Sequence, residues 1–138
     1  MKTITILILA TLAVAVFVMP VTADGIAPGI QLGDDEYELK FDGLSSWIPF
    51  NVVQGGNVMF YPAIANGKVY ELTDAGEWDD VYINTRPATG GYANGSWTTI
   101  YIFHADGTFD MVTEKFDPDG ASVPGTWTHK TGTYRPKQ

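Results

Sequence analysis

His104 and His129 are the only histidines in the chain, and in the absence of cysteine they are its candidate proton carriers near neutral pH. Both stand beside expected turns, where an imidazole faces water or caps backbone. A metal shared between them needs a third ligand such as Asp106 or Asp110, and no His-x-x-x-His spacing offers a ready-made set. No metal and no cofactor is therefore expected. The carboxylates gather in Asp34-Asp35-Glu36, Glu77-Trp78-Asp79-Asp80 and Asp117-Pro118-Asp119-Gly120. A glycoside hydrolase needs two carboxyls facing across a cleft, one kept protonated by burial, whereas carboxylates in turns are solvated. The third cluster lacks the further ligands and closing glutamate of a calcium loop. Ser45, Ser46, Ser96 and Ser122 sit in no Gly-x-Ser-x-Gly context, and Gln54-Gly55-Gly56-Asn57 opens no helix. The expectation is a protein that is not an enzyme.

The aromatic residues carry the remaining chemistry. The chain holds four Trp, seven Tyr and seven Phe. Outside the C-terminal region, Trp47, Phe60, Tyr61, Tyr70, Trp78, Tyr82 and Tyr92 exceed what one face of a small core needs. Any left exposed make a sugar-stacking or protein-contact surface; the plainer reading of the set is core and barrel filling. Trp78, Tyr82 and Tyr92 are the ligand-binding candidates, with Tyr92 in the loop Gly90-Gly91-Tyr92-Ala93.

The elements that must position these side chains announce themselves at the C-terminal end. Glycine, a small hydroxyl residue and an aromatic recur in Gly95-Ser96-Trp97, Gly107-Thr108-Phe109, Gly125-Thr126-Trp127 and Gly132-Thr133-Tyr134. Each triplet reads as a turn glycine at positive φ, a strand start, and an aromatic delivered to the core. Their uneven spacing excludes a solenoid or propeller. Strands are expected near 96–104, 108–115, 125–129 and 132–136. A glycine bulge at Ala105-Asp106-Gly107 sets Phe103 opposite Phe109 and Tyr101 opposite Met111, with Asp110 and Glu114 outward. Upstream, Tyr37, Leu39 and Phe41 alternate with Glu36, Glu38 and Lys40 across Asp35–Phe41, as in a half-buried strand. Strands also follow at 47–53, 58–64, 68–72 and 78–84, with hairpins at Gln54-Gly55-Gly56-Asn57 and Asn66-Gly67. Pro49 and Pro62 mark edges or bulges. Residues 85–95 form a long loop. Eight or nine short strands joined by sequential hairpins make an all-β antiparallel barrel, with a β-sandwich as the alternative.

The stretch from Gly95-Ser96-Trp97 through Asp106-Gly107-Thr108-Phe109 to Gly132-Thr133-Tyr134 resembles the repeated hairpins of small lipocalin-like barrel domains of exported microbial proteins. That resemblance implies a barrel that encloses a small apolar ligand or fills with its own side chains. It transfers no binding residue, and the first half has no Gly-x-Trp opening.

Lys2, an apolar or small stretch over 4–21 and Val21-Thr22-Ala23 have the order of a secretory signal peptide, with cleavage expected after Ala23. The organisation expected is a signal helix over 1–23, a flexible leader over 24–34 and one barrel domain over 35–138, secreted or at the cell surface. No membrane insertion is expected after cleavage. A formal charge of −8 disfavours nucleic acid, and zero cysteines mean that the core must hold without cross-links. Asn94-Gly95-Ser96 is a glycosylation acceptor if the host modifies exported proteins. The function expected is binding of a small apolar molecule or glycan at the barrel mouth and 85–95 loop. The alternative is a structural subunit of a surface layer, a homo-oligomer paired through edge strands such as Asp35–Phe41. A small carboxylate-based hydrolase is third.

Overall fold

The computed structural model describes residues 26–63, 69–75, 78–87 and 95–138, with backbone alone at 74, 75, 78 and 79. Eight strands follow in chain order: β1 (Asp35–Phe41), β2 (Ile48–Val53), β3 (Val58–Phe60), β4 (Val69–Ala75), β5 (Trp78–Pro87), β6 (Ser96–Phe103), β7 (Thr108–Phe116) and β8 (Thr128–Pro136). Each pairs antiparallel with the next, and β8 pairs with β1, closing an up-and-down barrel. The barrel, not the sandwich, is the architecture. The expected signal segment, the Asn66-Gly67 turn and Asn94 lie outside the described residues.

Alternation explains the wall. On β1, Tyr37 and Leu39 point inward, and on β2 Phe50 and Val52 do the same. Across β6 and β7 the register is Phe103↔Phe109 and Tyr101↔Met111, which turns Asp110 and Glu114 outward as expected. The interior at this level is a continuous aromatic stack. Phe103 packs on Phe50 at 5.3 Å between ring centroids, on Tyr134 at 5.0 Å and on Tyr82 at 5.9 Å. Such packing replaces the cross-links that the chain lacks.

Four expectations need correction. The glycine triplets are not four equivalent strand entries. Gly107 and Gly125 do adopt positive φ, at 89° and 80°. Gly132, however, lies inside β8, which is one strand and not two. A Cβ there would come within 2.2 Å of the Lys40 carbonyl oxygen and 2.6 Å of the Phe109 ring, so glycine is required for close approach. Trp127, third in its triplet, is 43% exposed and lies outside the core, because it precedes β8.

The strand Asp35–Phe41 is no free edge either. It is bonded to β2 on one side and β8 on the other, so the pairing surface of the assembly reading is already occupied. Pro49 sits within β2, opposite Glu38 in this closed wall, and Pro62 follows β3. The β1–β8 seam is reinforced outside by Arg135 Nε, 2.5 Å from Glu38 Oε2, with the guanidinium 3.8 Å over the Trp47 ring.

Finally, the leader is pinned from Ile26 onward. Ile26 packs on Val81, Ile102 and Val112 of the outer wall, while Leu32 belongs to the inner core. The segment thus passes from outside the barrel across one end as a strap. Ile30 N donates to the Phe103 carbonyl at 2.8 Å, and Leu32 N donates to the Tyr82 hydroxyl at 3.1 Å. Asp34 accepts from the amides of Gly55 and Gly56 in the β2–β3 turn.

Candidate functional site

The three aromatic candidates do not form one surface. Tyr82 is fully buried, and its hydroxyl accepts from Leu32 N and donates to the Gly56 carbonyl at 2.7 Å. It is a docking post for the strap, with both hydroxyl functions engaged. Trp78 opens β5 opposite Ala75, and Tyr92 lies outside the described residues.

Moving along the interior away from the strap, the side chains change character row by row. The register places Phe103 beside Phe109 first, then Tyr82, Tyr101 and Met111. The next row is Asn84, Thr99 and Thr113, and the row after it is Arg86, Trp97 and Lys115. Period-two alternation puts all of these on the inner face. Beside the middle rows, Tyr61, Tyr70 and Tyr101 meet edge-on, with centroids 5.1 to 6.1 Å apart. Burial holds the Tyr61 and Tyr70 phenols well above the ordinary tyrosine range and raises that of Tyr101 as well. Tyr101 is also coupled to the other two by side-chain hydrogen bonding.

The polar rows are bonded together. Thr99 Oγ1 lies 3.2 Å from Thr113 Oγ1, and Arg86 Nη1 donates to Thr99 Oγ1 at 3.3 Å. Asn84 Nδ2 donates to the Val69 carbonyl at 2.9 Å, turning its oxygen toward Arg86 Nη1 at 3.4 Å. Lys115 is only 3% exposed. One end of the barrel is therefore strapped and aromatic, and the other is lined with hydroxyls, an amide and two cations.

Two sites lie on the outer wall. A groove of about 360 Å³ runs over Ile83, Ile100, Val112 and Phe116, with Thr98, Glu114 and Trp127 at its margins. The second joins both histidines: Asp110 Oδ2 lies 2.6 Å from His104 Nε2, and Asp110 Oδ1 lies 2.6 Å from His129 Nε2. His104 Nδ1 is 3.2 Å from the Pro28 carbonyl on the strap. A carbonyl and a carboxylate can only accept, so both His104 contacts are hydrogen bonds only when both ring nitrogens carry protons. The carboxylate itself stands between the imidazoles, one oxygen to each, and among the described residues no group of three such side chains has the arrangement to hold a metal ion.

Breaking the His104–Asp110 pair is therefore expected to loosen the strap. Asp110→Asn, which removes the charge that holds His104 in place, should raise amide exchange at Ile30 and Leu32 several-fold. Unchanged exchange in the variant would show that the strap is held by its other bonds alone.

The carboxylate clusters serve turns. Asp117 Oδ1 accepts from the amides of Asp119 and Ala121, each at 2.9 Å, and Asp35 Oδ1 accepts from Glu36 N at 2.8 Å. No family model matches the chain, and neither a curated protein nor a solved structure matches it.

Proposed function

We propose that the chain is an exported, non-catalytic binding protein that takes a small molecule at the barrel end opposite the strap. The observation that carries this reading is the interior gradient from a sealed aromatic end to rows of hydroxyl, amide and cationic side chains. A barrel needed only as scaffold gains nothing from polar groups turned inward, since each must be desolvated and bonded. The strap-side half is filled by its own aromatic rings, so the ligand does not reach the barrel centre. It enters instead where β5, β6 and β7 carry Asn84, Thr99 and Thr113. Pro87 and Ser96, the last and first residues of β5 and β6, lie at this end; residues 85–87, expected in the loop, belong to β5.

Titration with neutral phenylnaphthylamine, whose fluorescence rises on leaving water, tests this directly. Saturable binding is expected, weakened about tenfold or more by Thr113→Phe, which fills the polar row. Trp127→Ala should leave it unchanged. The reverse pattern would move binding to the outer groove, and absence of saturable binding would sink the small-molecule reading. The groove does favour a second reading, contact with a glycan or protein face: Trp127 is exposed beside Phe116 and Glu114.

A further inference from the structure

We infer that the molecule bound at the polar end is a small amphipathic anion, with its carboxylate seated on the Arg86 guanidinium and its apolar body against Trp97. The inference rests on the small-molecule reading above and names its ligand class. Arg86 is half-buried on the inner face of β5, and its described partners are both neutral: Asn84 Oδ1 at 3.4 Å and Thr99 Oγ1 at 3.3 Å. Both contacts are long for a guanidinium, which makes its best bonds to carboxylates at 2.7 to 2.9 Å, in pairs. The ion pairs of the described residues join His104, His129, Arg135 and Lys137 to acids, and Arg86 is in none of them.

That arrangement is unusual in a chain of formal charge −8, where acidic side chains outnumber basic ones two to one. Evenly distributed, those acids would neutralise any arginine cheaply. Instead Glu114, the acid on β7 beside this level, faces outward, while Arg86 and Lys115 face inward. A guanidinium removed from water without a counter-charge destabilises the fold, and an arriving anion relieves that cost. The fork of Arg86 also suits a planar carboxylate better than a point charge would. Thr99 and Asn84 hold the guanidinium from one side. Trp97, opposite Arg86 in the register, supplies the apolar surface that distinguishes an organic anion from an inorganic one. The Arg86 charge is felt deeper in the barrel: Tyr70 is raised chiefly by burial, then by Tyr101, with Arg86 pulling in the opposite direction.

The test compares two dyes with the same aromatic body, anilinonaphthalene sulfonate and neutral phenylnaphthylamine, with benzoate and laurate as carboxylate competitors. Wild-type protein should prefer the sulfonate, and either carboxylate should displace it. Arg86→Gln should lower affinity for the sulfonate at least about tenfold while leaving the neutral dye within about twofold. Arg86→Met should raise the unfolding midpoint of the ligand-free protein, because it removes a charge that no ion pair of the described residues neutralises. Equal loss of both dyes in Arg86→Gln, or a lowered midpoint in Arg86→Met, would make Arg86 a structural residue and overturn the inference. Neutral-dye binding without anion preference would overturn the anion and leave the small-molecule reading standing. If neither dye binds, both fall. Inorganic sulfate displacing the dye as well as benzoate does would show a site for any anion and would equally overturn the amphipathic assignment.

Discussion

Alkali is expected to unfold this barrel abruptly above about pH 10. The reason lies in Tyr61, Tyr70, Tyr82 and Tyr101, whose phenols are all raised above the ordinary value of 10.0 chiefly by burial. The sign follows from proton counting. Below the unfolded value both states keep the phenolic protons and the raised pKa has no effect. Above it the unfolded chain releases them, while Tyr61 and Tyr70, the two most strongly raised, stay protonated in the barrel, so stability falls by about 1.4 kcal/mol per pH unit for each of these two. Together they remove about 3 kcal/mol per unit, set against a total of about 5 to 15 kcal/mol for a domain. Tyrosinate absorbance and far-ultraviolet circular dichroism should therefore change together in one cooperative step. Tyr61→Phe, which takes one of these two phenols out of the count, should make the fall shallower by about half. Stepwise ionisation near pH 10 with the fold intact would show that these rings reach water and are not sealed in.

Phe103→Ala should be the most damaging single truncation in the core, at about 3 to 5 kcal/mol. Its ring stacks on Phe50 at 5.3 Å and Tyr101 at 6.0 Å, and meets Tyr134, Tyr82 and Phe109 at 5.0 to 6.0 Å. No small shift of one neighbour can refill a space bounded by five rings held on separate strands, so the cavity persists. The carbonyl of the same residue receives the Ile30 amide, so local loosening reaches the strap as well. Urea unfolding measures the loss, with Trp127→Ala as the contrast, because that ring is 43% exposed and its removal should cost little. A loss below about 1 kcal/mol for Phe103→Ala would mean that the aromatic stack repacks, contrary to the geometry.

How much of this could be read beforehand depended on whether the signal was local. The alternation of Tyr37, Leu39 and Phe41 and the turn at Gly107 give β1 and the β6–β7 register directly, because period two and positive φ are properties of a few neighbouring residues. The strap is illegible in the sequence for the opposite reason. Ile26 and Leu32 are isolated apolar residues around Pro28-Gly29 with no period, and only the assembled barrel supplies surfaces for them. Alternation within 78–84 does not say which face turns inward, so the sequence alone does not separate a buried Tyr82 from one on a ligand surface. The joining of His104, Asp110 and His129 depends on β7–β8 pairing, where Val112 faces His129. A glycine at 132 looks like a turn and hides that register, although β8 runs unbroken through it. Arg86 and Lys115 ran against the rule that charge points to water, and such departures mark the places where folding preference has yielded to another demand.

Closure between β1 and β8 also governs when the protein can exist at all. The first strand waits for the eighth, so the seam joins residues about a hundred positions apart, such as Glu38 and Arg135. Until that last strand is available, the sheet has two bare margins, one along β1 and one along β7, each offering unpaired amides and carbonyls to any other chain. Contacts of such sequence separation form slowly. The barrel's birth is therefore its most vulnerable moment, and a chain truncated before Thr128 should gather into aggregates, whereas in the finished barrel each of the eight strands is paired on both sides.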